Sequence, residues 1–166
     1  MNQKKLSWLI MCICSISLIF TSCSTKSYSS KSDCRELSQS LMREISVPDG
    51  EFSQYTEEEV QIFFSSPELY DDISIMYSKD STDIAELGIL HATTEEKSDK
   101  LFEEAKLYIK NLQEQKREFL NNYSPEEVEK LNSAEVRKFG NYIIFTVADP
   151  DDKNYVFSKA EELLKN

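Results

Sequence analysis

The sequence predicts an α+β domain: a four-stranded antiparallel sheet made of two β-hairpins, with helices packed on one face. Three observations predict it. Ile73 to Lys79 and Ile84 to His91 are rich in β-branched and aromatic residues and are separated by Asp80-Ser81-Thr82-Asp83, the pattern of a hairpin. Ala134 to Phe139 and Tyr142 to Ala148 repeat it across Gly140-Asn141, where glycine permits the positive φ of a tight turn. Between the hairpins, apolar residues recur at steps of three and four, the period of a long helix.

The elements follow in order. Asp33-x-x-Glu36 reads as a capping box, after which Cys34, Leu37, Leu41 and Ile45 share a helical face. That helix stops at Val47-Pro48-Asp49-Gly50, a cluster of turn residues. Thr56-x-x-Glu59 opens a short helix with Val60, Phe63 and Phe64, which ends before Pro67. The rest of Val47 to Asp72 reads as an irregular excursion. After the first hairpin, Thr93-x-x-Glu96 caps the longest helix, whose stripe runs Leu101, Ala105, Tyr108, Leu112, Phe119 and Tyr123. Ser124-Pro125-Glu126-Glu127 restarts a helix that ends near Leu131. Asp149-Pro150-Asp151-Asp152 starts the last one, with Val156, Phe157, Ala160, Leu163 and Leu164 facing inward.

The first residues have another character. Lys4 and Lys5 precede an uncharged run from Leu6 to Phe20, followed by Thr21, Ser22 and Cys23. Fifteen residues fall short of the about 20 that a membrane-spanning helix needs. A basic start, a short apolar run and small residues before a cysteine form an export signal of the lipoprotein kind. An ordinary cleaved secretory signal and an uncleaved anchor are the alternatives, and Phe20 stands where leucine is usual. The expected organisation is a lipoprotein signal peptide over 1–22, a flexible tether over 23–32 and a single α+β domain over 33–166. Cys23 would carry a diacylglyceryl (palmitate-type) anchor on the extracytoplasmic face of the cell membrane. Two acyl chains hold a protein far more firmly than one. Lys26 and Lys31 in the tether would meet anionic headgroups or simply keep the linker soluble.

Composition narrows the function. The net charge is −11, and the leader takes Lys4 and Lys5 with it, so the exported part is more acidic still. Such a surface repels phosphate backbones, which excludes nucleic acid as a partner. Of four cysteines, Cys12 and Cys14 leave with the leader and Cys23 takes lipid. Cys34 alone has no mate for an internal disulfide. It opens the first helix, where the dipole could lower its pKa, or it is a small apolar helix residue.

Ala85-Glu86-Leu87-Gly88-Ile89-Leu90, the helix segment Gln115 to Phe119, Tyr123-Ser124-Pro125-Glu126-Glu127 and Gly140-Asn141-Tyr142 before an apolar strand occur together. In these motifs the chain resembles the small lipoproteins of anaerobic Gram-positive bacteria catalogued as domain of unknown function 4358, from about Leu37 to the C-terminus. The resemblance implies an envelope location and a compact α+β domain. It implies no catalytic or ligand residue.

The residues themselves offer little chemistry. His91 is the one histidine and has no sequence companion for catalysis or metal binding. Asp149 to Asp152 suits helix capping better than calcium, lacking a downstream bidentate Glu at loop spacing. Three glycines cannot build a phosphate-cradling loop, and no nucleophile motif is present. No cofactor and no metal is therefore expected. Glu86 is the candidate contact for a partner or ligand: a mid-strand carboxylate with bare Gly88 on the same face. The bland alternative is a solvent-facing strand position, because Leu87 and Ile89 point the other way. Tyr28 and Tyr55 are the aromatics expected at the surface. The expected function is a non-catalytic binding or accessory module of the cell envelope, with an unknown protein or peptide partner. The alternative is a small hydrolase of wall glycan using two acids among Glu86, Asp71, Asp72 and Asp83 about 5–10 Å apart.

Overall fold

Strand alternation is satisfied on both faces of the sheet, and that decides the architecture. The computed structural model describes residues 27–43 and 52–165. Helix α1 (Cys34–Met42) precedes strand β1 (Phe52–Gln54), helix α2 (Glu57–Phe63) and strands β2 (Tyr70–Ser78) and β3 (Glu86–Ala92). Then come the long helix α3 (Glu95–Tyr123), helix α4 (Val128–Ser133), strands β4 (Glu135–Phe139) and β5 (Tyr142–Val147), and helix α5 (Pro150–Leu164). Short 3-10 turns lie at Pro67–Leu69 and Pro125–Glu127. The strands form one five-stranded sheet in the order β1-β2-β3-β5-β4, every neighbouring pair antiparallel.

The fold is α+β, and both predicted hairpins are present. The sheet has a fifth strand, since Phe52, Ser53 and Gln54 pair with Ser78, Tyr77 and Met76 inside the stretch read as irregular. Helices cover both faces rather than one. Leu87, Ile89, Tyr142 and Ile144 pack with Leu37 and Leu41 of α1 and Val156, Phe157 and Ala160 of α5. On the other face Ile75, Leu90, Ile143, Phe145 and Val147 pack with Val60 of α2 and Leu101, Ala105, Tyr108 and Ile109 of α3. A sheet buried on both sides reads as nearly continuous apolar runs, as β5 does.

Caps and turns set the element ends. Thr56 and Glu59 complete a capping box at α2. Asp33 accepts from the Glu36 amide at α1. The cap of α3 is Thr94, one residue past the expected Thr93, and its hydroxyl accepts from Lys97 N. Gly140 takes φ +58° in the β4–β5 turn. Along α3 the expected stripe holds through Tyr108, but beyond it Leu120 is buried while Phe119 and Tyr123 are exposed. The predicted turn Val47 to Gly50, Ile45 and the leader with Cys23 lie outside the described residues.

The expected tether is partly docked. Tyr28 bridges to Lys165, Ser29 N donates to Leu164 O at 2.8 Å, and Ser30 N donates to the Tyr142 hydroxyl at 3.2 Å. The Tyr28 ring meets Phe139 edge-on at 5.7 Å, so this tyrosine is half-buried rather than at the surface. Apolar area on Tyr28 and backbone donors beside a strand end outweigh the polar composition around them.

Candidate functional site

Glu86 opens β3, opposite Tyr77 of β2 and Val147 of β5. Even-numbered positions of β3 face α3, so the carboxylate points into a covered face and is only 5% exposed. The solvent-facing alternative is thereby corrected: both faces of this sheet are roofed. The Tyr108 hydroxyl of α3 donates to Glu86 Oε1 at 2.6 Å. Burial pushes the Glu86 carboxyl up to about 7, although the Tyr108 hydrogen bond and the field of Lys116 both favour its ionised form. The same burial, with Glu86 beside it, raises the Tyr108 hydroxyl.

An aromatic cluster surrounds the pair. Tyr108 touches Phe63, Phe64 and Phe145, with ring centroids 5.2–5.5 Å apart. Tyr55 stacks on Tyr77 at 4.3 Å and meets Phe63 edge-on at 5.4 Å. Tyr55 is half-buried, not the surface residue expected, and burial first, then Glu86, raises its hydroxyl to about 12. Gly88 does not leave a bare face for a ligand. A Cβ there would lie 2.1 Å from Phe145, so the ring fills the space.

Two concavities flank this cluster. One, of about 410 Å³, lies between α2 and α3, and Ile62, Phe63, Leu107 and Tyr108 line it. Ile62 is 76% exposed there, a large apolar side chain left to solvent. The other, of about 270 Å³, is lined by Tyr55, Tyr77, Asp83, Glu86 and Lys116. Leu112 lines both. The hydrogen bond from Tyr108 to Glu86 therefore spans from one to the other.

The other acids named from the sequence divide. Asp83 shares the Glu86 cavity, its Oδ1 accepting from Ala85 N at 2.9 Å and from Lys130 Nζ at 2.9 Å. Lys130 also donates to Glu127 Oε1 at 2.9 Å, and Glu127 Oε2 accepts from Ile84 N, so a buried charge network holds the β2–β3 turn. Asp71 and Asp72 sit elsewhere. Asp72 opposes His91, and five residue steps along the strand separate it from Tyr77, the partner of Glu86. At about 3.3 Å per residue that is about 16 Å, beyond the span of a glycosidase acid pair. Asp71 Oδ1 contacts His91 Nδ1 at 2.6 Å, and the His91 ring lies 4.6 Å from that of Tyr142. Asp72 accepts from Cys34 N at 2.6 Å. Cys34 is buried, and burial first, then Asp72, raises its thiol, the opposite of activation by the helix end.

Among the described residues no group of three or more His, Cys, Asp or Glu is placed to hold a metal ion. Among them, too, no helix is long and apolar enough to cross a membrane. Sequence reasoning missed the α2–α3 groove, Tyr108 as the partner of Glu86, and the Lys130 network. Tyr108 lies on the apolar stripe of α3 and is buried, so its spacing reads as packing alone, whereas Phe63 is 40% exposed. A family model described as Domain of unknown function (DUF4358) matches residues 61–148, a span that includes Glu86, Tyr108 and all four motifs of the resemblance. No curated protein and no solved structure matches the chain.

Proposed function

The chain belongs to the family described as Domain of unknown function (DUF4358), and from that premise we propose that it is a lipid-anchored, extracytoplasmic binding module without catalytic activity. Its ligand seat is the aromatic cleft around Glu86 and Tyr108. One observation carries this reading: a buried, hydrogen-bonded carboxylate links an apolar groove to a polar cavity. Clefts of a few hundred Å³, mostly apolar with a few placed polar groups, are the usual form of ligand sites.

The placement of the domain supports it. Lipid on Cys23 would be five residue steps from docked Tyr28, a reach of at most about 18 Å. Tyr28 sits at the Gly140 end of the sheet, where β5 begins at Tyr142. Glu86 pairs with Val147, at the other end of β5. Glu86 and its cavity thus sit at the end of β5 away from docked Tyr28. Of the acids named for a wall-glycan hydrolase, Glu86 shares its cavity with Asp83 alone, and Asp83 is committed to Lys130.

Leu112→Trp fills both concavities from their shared wall and so separates binding from fold. Soluble envelope fractions are titrated against lipidated wild-type and variant proteins in non-ionic detergent, with melting temperature as readout. A fraction that stabilises the wild type and leaves Leu112→Trp unmoved supports the reading. Equal response of both proteins, or none from any fraction, refutes it.

A further inference from the structure

Resting on that binding reading, we propose that the cavity beside Glu86 receives the primary ammonium head of a small ligand. The acceptors are already in place without donors. The one side-chain hydrogen bond to Glu86 among the described residues is from Tyr108 to Oε1, which leaves Oε2 without a protein donor. Asp83, whose side chain is 11% exposed, uses Oδ1 for Ala85 N and Lys130 Nζ, and its buried Oδ2 has no partner among the described residues. Both residues line the same cavity of about 270 Å³. A buried acceptor left unmatched, as Asp83 Oδ2 is, is costly, so the site favours a group that brings several donors at once.

An ammonium has three donors and no acceptor. Its hydrogen bonds to carboxylates carry charge on both partners, where a hydroxyl brings none. The stacked rings of Tyr55 and Tyr77 line the same space and present π-faces of the kind that attract cations. An anion would meet Asp80, Asp83 and Glu86 together, and a purely apolar group would leave both orphaned oxygens unmatched. Lys116 also lines the cavity and is exposed, with no ion pair among the described residues. It is an ammonium on a flexible stem, able to swing aside for a ligand that carries its own. Carbon attached to that ammonium would continue past Leu112 into the α2–α3 groove.

The test is isothermal titration of the lipidated protein in non-ionic detergent at pH 8, where Glu86 is ionised. Three five-carbon probes differ only in their ends: 1,5-diaminopentane, 1,5-pentanediol and glutarate. The diamine binds about tenfold or more tightly than the diol, and glutarate does not bind. Glu86→Gln, which keeps the acceptor for Tyr108, weakens the diamine by about tenfold, while Lys116→Ala leaves it equal or tighter. Tyr55→Leu, which removes aromatic wall without touching a buried charge, weakens it severalfold and guards against a folding artefact in the first variant. Diamine affinity unchanged by Glu86→Gln, or no diamine binding, overturns the proposal. Glutarate binding, or diol binding as tight as the diamine's, that Leu112→Trp abolishes also overturns the ammonium assignment, while leaving the cleft as a binding site.

Discussion

Glu86 makes stability fall as pH rises, and the size of the effect follows from its burial. In the unfolded chain a glutamate titrates near 4.5, and in the fold burial holds this one near 7. Between those values the folded state binds the proton more tightly than the unfolded state does. Its contribution is therefore fully present below about pH 4.5 and is lost as pH climbs through about 7. One pKa unit corresponds to about 1.4 kcal/mol, so at pH 8 the buried carboxylate costs roughly 3 kcal/mol relative to its state at pH 4. Glu86→Gln removes the titration and keeps an oxygen for the Tyr108 hydroxyl. Urea unfolding of both proteins at half-unit steps from pH 4 to 8.5 isolates the term, since every other group cancels in the difference. The variant gains on the wild type by about 3 kcal/mol across that range, with most of the gain between pH 5 and 7. A difference that stays flat with pH refutes the reasoning, because it would mean the carboxylate titrates as if exposed.

Gly88→Ala drives a Cβ to 2.1 Å from Phe145, a ring held by Phe64 and Tyr108, and should cost about 1–3 kcal/mol in urea unfolding. Adding Phe145→Leu should recover part of that loss, and a strictly additive double mutant would exclude the clash. Lys130→Met strands Asp83 and Glu127 as uncompensated buried acids and should cost about 3–5 kcal/mol by the same measurement. Cys34 should not react with Ellman's reagent until the protein unfolds, whereas rapid labelling of the native protein would contradict its burial and raised thiol.

How much of this was legible in the sequence depends on the range of the signal. Hairpins announce themselves locally: Gly140-Asn141 between two β-branched runs needs no tertiary knowledge, and that turn forms with Gly140 at positive φ. Strand β1 has three residues and all of them are half-buried, so no alternation exists to be read. Alternation correctly set Glu86 against Leu87 and Ile89, but it cannot say what covers either face. The clue was present in β5, where Tyr142 to Val147 is buried at every position, as only a doubly covered sheet allows. Along α3 the period of 3.6 brings Phe119 back in line with Leu101 after five turns, yet Leu120 is the buried residue, because α3 packs on the Pro125–Glu127 turn and on α4 as well as on the sheet, and the sequence stripe does not show those contacts. Tyr108 looked like core and is core; that its hydroxyl ends on Glu86, 22 residues away, is a tertiary fact.

Why the fold tolerates that pair is the remaining step. Phe145 and Gly88 show that this layer of the sheet is packed to contact, so a leucine or glutamine at 86 would meet no shortage of neighbours. A glutamate there gives up roughly 3 kcal/mol at neutral to alkaline pH, a large share of the 5–15 kcal/mol that holds a domain together. Tyr108 softens the loss with one hydrogen bond, and among the described residues the second oxygen has no donor. Strain and desolvation retained against an available cheaper residue concentrate at working sites. The same register that buries Glu86 also sets it against Val147, remote from the docked Tyr28 end. One strand position thus sets both the carboxylate in this cavity and its place at the far end of β5.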